Sequence, residues 1–148
     1  MSRPNRILPP SRFFPPAELA GPEGLVAIGG RLSPEWLLDA YRHGIFPWPH
    51  SDCDDPMLWF SPDPRGIIEL DELHISRRLA QTCRSRKFEV TCDRAFRKVL
   101  EGCATSPGRV GHTWLTPLMS DSYDHAHELG QAHIIEVWRG ELLVDGTY

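Results

Sequence analysis

Proline is the residue that most constrains what this chain of 148 residues can fold into. Fourteen prolines are present, and most of them lie before Gly66. Each proline fixes φ and lacks a backbone N–H, so a dense series of them excludes long helices and central strands. Residues 1–16 hold five prolines, which predicts a flexible lead-in. Residues 17–66 are then expected to form a small N-terminal domain with one short helix and ordered aromatic and proline-rich loops.

Two prolines have a different role, because each follows a residue that can cap a helix. Ser33 and Thr116 both precede a proline. A hydroxyl side chain can accept from the free amides of a first turn, and proline suits the first helical position. Helices are therefore predicted over residues 34–43 and 117–129, each followed by a glycine.

After Gly66 the sequence changes to an alternation of strand and helix patterns. Apolar residues recur at helical spacing in some segments and alternate in others. The predicted elements are a strand at 67–70, a helix at 74–86, a strand at 88–92, a helix capped by Asp93, the helix at 117–129, and a hairpin of strands at 133–138 and 141–144. The chain is therefore of the α+β class, with a second domain over residues 67–148.

Composition places the chain among ordinary globular proteins. Hydrophobic residues make up 41% and charged residues 24%, so disorder throughout and a fibrous repeat are both excluded. No apolar run approaches the roughly 20 residues of a membrane-spanning helix. The N-terminus lacks the apolar segment of a secretory signal. Four cysteines without a CxxC pair favour reduced, mostly buried thiols. We therefore expect a cytoplasmic protein without a membrane partner.

Charge is distributed unevenly along the chain. The net charge is −4, which excludes a uniformly basic nucleic-acid binder. Residues 77–98 nevertheless carry eight cationic side chains against two acidic ones. The cationic side chains are Arg77, Arg78, Arg84, Arg86, Lys87, Arg94, Arg97 and Lys98. Such a cluster has two interpretations: it binds an anionic partner such as a nucleic-acid backbone, or it forms the solvated faces of two ordinary helices.

Three of the five tryptophans lie in loops whose conformation proline or a helix start restricts. Trp48 and Trp59 lie among prolines, and Trp114 lies just before the second predicted helix start. A tryptophan held on a rigid loop can stack on a base, while the alternative for each is an ordinary core position. Trp36 and Trp138 lie on regular elements and are core candidates.

Other chemical sites find little support in the sequence. His125 and His127 are two residues apart on a predicted helix, so both cannot easily bind one metal ion. The chain has no GxxxxGK[ST], GxGxxG or GxSxG motif. We therefore expect no metal, no nucleotide polyphosphate and no cofactor.

Several blocks, taken in chain order, resemble the leucyl/phenylalanyl-tRNA–protein transferase family. The resemblance runs from about residue 13 to the last residue, and its GIFPW and SPDPR blocks are specific. The blocks are Gly24–Gly30, Leu32–Pro34, Ala40–Trp48, Trp59–Arg65, Leu73–Arg77, Phe96, Glu101–Ala104, Thr113–Thr116, His127–Gly130, Ala132–His133 and Glu136–Trp138.

The resemblance implies an aminoacyltransferase. Members move Leu or Phe from aminoacyl-tRNA to the N-terminal Arg or Lys of an acceptor protein and so mark it for degradation in the N-degron pathway. The implied fold is a small N-terminal domain followed by a domain similar to the acyl-CoA N-acyltransferases (GNAT-like). The implied partners are Leu-tRNA or Phe-tRNA and the acceptor protein, with no metal and no acetyl-CoA.

The resemblance also implies roles for particular residues. Trp48 and Trp114 match tryptophans near the terminal aminoacyl-adenosine, whereas the role of Trp59 is less clear. The basic cluster matches a cationic helix of the family, which implies contact with the tRNA backbone. The residues that match are Arg77, Arg78, Arg84, Arg86 and Lys87. No residue of this chain matches the family's catalytic carboxylate.

The sequence also departs from the family pattern. Family members continue past the equivalent of Tyr148 with the segment that holds the catalytic carboxylate, so residues 67–148 are expected to be a GNAT-like domain that is incomplete at its C-terminus. Asp145 and Thr147 replace a usual glycine and methionine, and Arg31 replaces a usual aspartate. Two functions therefore stay open: the transferase itself, or a non-catalytic module that binds the tRNA 3′ end or the acceptor.

Overall fold

The computed structural model describes residues 8–49, 56–106 and 113–148, and these form a mixed α/β structure. The described part contains four helices, two short 3-10 turns and six strands. The helices are α1 (Pro34–Arg42), α2 (Arg77–Arg84), α3 (Phe96–Thr105) and α4 (Pro117–Glu128). The strands are β1 (Leu25–Ile28), β2 (Phe46–Trp48), β3 (Leu58–Phe60), β4 (Glu89–Cys92), β5 (Ile135–Arg139) and β6 (Leu142–Thr147).

The strands form two antiparallel sheets, one before Gly66 and one after it. The first sheet has the order β1-β3-β2, and the second has the order β4-β5-β6. The segments of the first sheet were predicted as loops, so that prediction is wrong. Pro47 can take part because β2 is an edge strand, where a missing N–H is tolerated.

The core of the N-terminal part is aromatic and centres on Trp59. Its side chain has no exposed surface, and its Nε1 donates to the carbonyl oxygen of Gly29 over 2.8 Å. The rings of Phe14 and Trp36 lie 4.7 and 6.0 Å from it between centroids. Phe14 falls within the expected flexible lead-in. That lead-in is therefore ordered where it packs on this core.

Helix starts follow the predicted chemistry in part. The hydroxyl of Thr116 accepts from the N–H of Met119, and α4 begins at the proline that follows, as predicted. Helix α1 also begins where predicted, but the side chain of Ser33 makes no capping hydrogen bond. Asp93 does not cap α3, because its carboxylate bonds instead to His133 and to the N–H of Ile134, just before β5. That prediction is wrong.

The segment between the two sheets differs most from the predictions. Ile67 and Ile68 are highly exposed and form no strand. Helix α2 is shorter than the predicted 74–86, and none of its residues is buried. Its apolar residue Leu79 is half exposed, because no other described element packs closely on this helix.

One face of the second sheet is covered and polar groups on it are satisfied. Helix α3 contacts β6 and also contacts α4, which in turn contacts α1. On this face the carboxylate of Glu136 is fully buried and accepts from the Thr91 hydroxyl at 2.5 Å and from the Ala95 N–H at 2.8 Å. Glu136 is therefore a structural residue that ties β4 and the start of α3 to β5.

The opposite face of the second sheet carries apolar side chains that solvent can reach. Val90 pairs with Val137, so the two share this face, and Ile135 lies two residues along on the same side. Val90 is 65% exposed and Ile135 is 47% exposed. Leu142 at the edge strand β6 is exposed as well. An open apolar face beside free strand edges favours association with other surfaces.

We expect the isolated chain to self-associate through this face. Sedimentation velocity over a range of concentrations should show species larger than a monomer. Replacing Val90 and Leu142 by lysine should shift the distribution towards the monomer, because charges on an edge oppose strand pairing. A monodisperse, cooperatively melting monomer of the unsubstituted chain would contradict this expectation.

Candidate functional site

The candidate site is a cavity of about 600 Å³ between the two sheet regions. Strand β2 supplies one wall, the segment before α4 supplies another, and the end of β6 supplies a third. The side chains that line it include Tyr41, Trp48, Trp114, Tyr123, His133 and Tyr148. The cavity therefore joins segments that are far apart in the sequence.

The structure brings the two predicted donor-binding tryptophans together. The rings of Trp48 and Trp114 are nearly parallel, at 17°, with centroids 5.8 Å apart. Trp48 ends β2 between two prolines and is 46% exposed, so its ring is presented rather than buried. Trp114 is fixed by the turn in which the N–H of Thr116 donates to its carbonyl. The two aromatic faces form a ready stacking surface for a planar group.

Two tyrosines that line the cavity contact each other. Tyr41 on α1 and Tyr123 on α4 are hydrogen-bonded through their hydroxyls. Burial raises the pKa of both phenols, so both stay neutral at physiological pH. Tyr148 packs on Tyr123 with ring centroids 5.3 Å apart and lies 6.0 Å from Trp114. The cavity is thus lined mainly by neutral aromatic groups.

His133 is a polar group of the cavity that sequence analysis missed as a site residue. Its Nδ1 lies 2.7 Å from Oδ2 of Asp93. The other carboxylate oxygen of Asp93 accepts from the N–H of Ile134 at 2.9 Å. The hydrogen bond from His133 and that from Ile134 lower the pKa of Asp93 to about 2. Asp93, the partner of His133, has an unusual left-handed backbone at φ 59°. The sequence does not show that conformation, so it gives no signal for this pair.

Three side chains at this corner of the cavity could in principle act as metal ligands. Cys92, Asp93 and His133 place a sulfur, a carboxylate oxygen and a ring nitrogen within 4.8 Å of one another. Asp93 and His133 are already bonded to each other, so we assign no metal to them. His127, by contrast, bonds the carbonyl of Ala132 and stacks on Phe96 at 4.0 Å. Its role is structural.

The predicted tRNA-backbone residues lie on an exposed surface outside the cavity lining. All five are solvent-exposed, and in the described part of the chain none of them makes an ion pair. They are Arg77, Arg78, Arg84, Arg86 and Lys87, on α2 and the turn after it. Two other arginines of the basic cluster, by contrast, have partners within the chain. Arg97 forms ion pairs with Asp121 and Asp124. The guanidinium of Arg94 lies over the ring of Trp138, 4.7 Å from its centroid.

The burial of the remaining tryptophans and of the cysteines agrees only in part with the sequence-based expectations. Trp59 is a core residue, so a stacking role for it is wrong, and Trp138 is buried as predicted. Cys83 and Cys92 are exposed free thiols, which corrects the expectation of mostly buried ones. Cys53 lies outside the described residues. No helix of the described segments is both long and apolar enough to span a membrane.

Comparison with known families agrees with this division of the chain. The family model described as "Leucyl/phenylalanyl-tRNA protein transferase" matches residues 67–148. A model for the N-terminal domain of the same family matches residues 30–63. The first match covers the second sheet, and the other covers α1, β2 and β3 but not β1. Together they include Trp48, Trp114 and the exposed basic residues of α2.

Curated relatives carry the same family name. A leucyl/phenylalanyl-tRNA–protein transferase of Nitratidesulfovibrio vulgaris is 53% identical over 138 residues, which is 92% of this chain and 58% of the relative. A relative from an Anaeromyxobacter species is 50% identical over 95% of this chain and 60% of its own length. The chain thus spans less than two thirds of the length of these relatives. The match over both regions shows that the chain belongs to the leucyl/phenylalanyl-tRNA–protein transferase family.

Proposed function

We propose that this chain binds the 3′ end of an aminoacyl-tRNA and takes part in moving Leu or Phe to the N-terminal Arg or Lys of an acceptor protein. The observation that carries the proposal is the pair of nearly parallel rings of Trp48 and Trp114 on one cavity. Two fixed aromatic faces suit the terminal adenine and its aminoacyl group. Membership of the family supplies the substrate class.

The reaction places few demands on cofactors. An aminoacyl ester is already activated, so attack by an amine gives an amide without ATP. The amine nitrogen bonds to the ester carbonyl carbon, the bond to the ribose oxygen breaks, and the amine proton ends on that oxygen. Holding both substrates in register supplies much of the acceleration. The cavity, with its neutral walls, serves to position the ester and exclude water.

The exposed basic residues fit the rest of a tRNA. A cationic helix outside the cavity can bind the phosphate backbone while the 3′ end enters the cavity beside the stacked tryptophans. No residue of α2 is buried and no described element packs closely on it, which leaves its cationic side chains accessible to such a partner. Binding through Arg77, Arg78, Arg84, Arg86 and Lys87 is part of the same proposal.

The domain organisation is part of the proposal too. We assign a lead-in to residues 1–16, a small N-terminal domain to 17–66 and a GNAT-like domain to 67–148. The two family matches and the two separate sheets support the boundary near Gly66. A cytoplasmic protein acting in the N-degron pathway is consistent with an aminoacyl-tRNA substrate.

A second candidate function has one observation in its favour. None of the described residues that line the cavity is a carboxylate, so none of them matches the catalytic carboxylate that the family resemblance implies. The chain would then be a non-catalytic module that holds the tRNA 3′ end. Incubation with Phe-tRNA and a peptide starting with Arg separates the two: a new Phe-Arg peptide supports the transferase, whereas binding without transfer supports the module.

Binding of aminoacyl-tRNA should weaken steeply as salt concentration rises. Each phosphate contact adds about one unit to the slope of log affinity against log salt. Arg77→Glu with Arg78→Glu should weaken binding further and make that slope shallower, measured by filter binding at several salt concentrations. The matched control is Arg31→Glu with Arg42→Glu, two exposed arginines of the N-terminal region, which should bind like the unsubstituted chain. A flat salt dependence would mean that α2 is ordinary solvated surface.

A further inference from the structure

His133 lies where a side chain can meet a ligand in the cavity. It lines the cavity with Trp48 and Trp114, and its side chain is 63% exposed. Its Nδ1 is engaged by Asp93, whereas no described group bonds its Nε2. The ring therefore has one fixed nitrogen and one nitrogen that is open to a ligand.

Asp93 decides what the open nitrogen can do. The carboxylate is held by His133 on Oδ2 and by the N–H of Ile134 on Oδ1, and the side chain of Cys92 also hydrogen-bonds to it. Its lowered pKa, about 2, keeps it charged at physiological pH. A carboxylate accepts only, so the proton of this hydrogen bond is on Nδ1, and in the tautomer with that proton alone Nε2 presents a lone pair. In that tautomer the nitrogen that is open to a ligand is an acceptor, and the charged carboxylate of Asp93 lies on the other side of the ring.

The other polar side chains that line the cavity, among them Gln131 and Thr147, are uncharged. The phenols of Tyr41 and Tyr123 are neutral and already bonded to each other. Of the described residues that line the cavity, none is Asp, Glu, Lys or Arg. A primary amine is a strong donor, and when protonated it is also attracted by the Asp93 charge. The ligand group that this corner fits best is therefore an amine.

We propose that His133, oriented by Asp93, accepts a hydrogen bond through Nε2 from a primary amine of the substrate in the cavity. The inference rests on the proposed function, because both substrates of that reaction carry such a group. One source is the α-amino group of the aminoacyl donor, and the other is the N-terminal amine of the acceptor. Asp93 is a positioning residue in this assignment, since it acts through His133.

The test compares free and blocked amines on the intact chain. One arm titrates a non-hydrolysable phenylalanyl-amide of 3′-aminoadenosine and its N-acetyl derivative. The other arm titrates an Arg-initiated peptide and its N-acetyl derivative in the presence of saturating adenosine probe. The variants are His133→Ala and Asp93→Asn, and the control is His125→Ala, an exposed histidine of α4. The arm in which the free amine binds more tightly identifies the source of the amine.

In that arm, His133→Ala should weaken the free-amine probe by about 10- to 100-fold, the range for a hydrogen bond to a charged group. Binding of the acetylated probe should be unchanged, so the preference for a free amine disappears. Asp93→Asn should reduce the same preference, and His125→Ala should leave it intact. In the unsubstituted chain, the ¹⁵N resonance of His133 Nε2 should move on addition of the free-amine probe and not of the acetylated one.

Three results would contradict the role of His133, and only the third would also contradict the proposed donor site. If the adenosine probe binds in a Trp48-dependent way but neither arm prefers a free amine, only the role of His133 is wrong. If His133→Ala weakens free and blocked probes equally, the residue shapes the cavity and does not accept from the amine. If the adenosine probe does not bind the unsubstituted chain at all, the donor site itself is wrong. Because the side chain of His133 is mostly exposed, its loss tests the assignment even where Asp93→Asn fails to fold.

Discussion

Replacement of Trp59 by alanine should lower the free energy of unfolding by about 3–5 kcal/mol, the range for removing a buried aromatic side chain. Trp59 is fully buried and lies between Phe14 and Trp36, and its indole N–H satisfies the carbonyl of Gly29. The substitution removes that hydrogen bond and leaves a cavity where β1, β3 and α1 meet. Urea denaturation followed by circular dichroism gives the free energy directly.

Two companion variants separate the causes of this loss. Trp59→Phe keeps most of the ring volume and removes the indole N–H, so it should cost less, about 1–3 kcal/mol for the carbonyl left unsatisfied. Trp48→Ala is the matched control, since it removes the same side chain from a half-exposed position. A loss below about 1 kcal/mol in Trp59→Ala would mean that the aromatic core does not hold the N-terminal region together.

The helices could be predicted from the sequence where local chemistry decides the outcome. Proline after Ser33 and after Thr116 marks the starts of α1 and α4, because fixed φ and a missing donor suit the first turn. The hairpin of β5 and β6 follows from alternation on both sides of a turn at Gly140. Each of these features is decided within about ten residues of chain, and the sequence displays it directly.

The first sheet could not be predicted, because long-range pairing decides it. Strands β2 and β3 have three residues each, β2 contains Pro47, and β3 lies between Pro56 and Pro62, so their local pattern is that of a loop. They become strands because Phe46 pairs with Phe60 and Pro47 with Trp59. Asp93 shows the same limit in the second domain: its local position suggests a cap, but the fold brings Ile134 and His133 to its carboxylate.

The candidate site was predictable only in its aromatic part. Trp48 and Trp114 stood out because proline or a helix start fixes the chain beside each, and the structure brings them onto one cavity. Trp59 has a similar local sequence yet is buried, since its place on the central strand of the first sheet is a property of the whole fold. His133 carried no local signal, because its partner is 40 residues away.

The largest functional effects are expected from the two cavity tryptophans. Trp48→Ala and Trp114→Ala should each weaken binding of an aminoacyl-adenosine mimic by about 1–3 kcal/mol, the range for one base stacked on one aromatic ring. Trp48 is 46% exposed, so its loss should affect stability far less than the loss of Trp59. Because the two rings stack on each other, with centroids 5.8 Å apart, their effects should not be additive in the double variant.

Calorimetric titration of this mimic into the unsubstituted chain, Trp48→Ala, Trp114→Ala and Trp59→Phe, with urea melts of the same samples, tests the donor site most directly. The stacked pair predicts weaker binding in Trp48→Ala and Trp114→Ala, with a loss of stability smaller than the about 3–5 kcal/mol expected of Trp59→Ala. Trp59→Phe should show the reverse, with lower stability and unchanged affinity per folded molecule. If Trp48→Ala and Trp114→Ala instead lower stability and leave that affinity unchanged, they are core residues and the donor does not bind in this cavity.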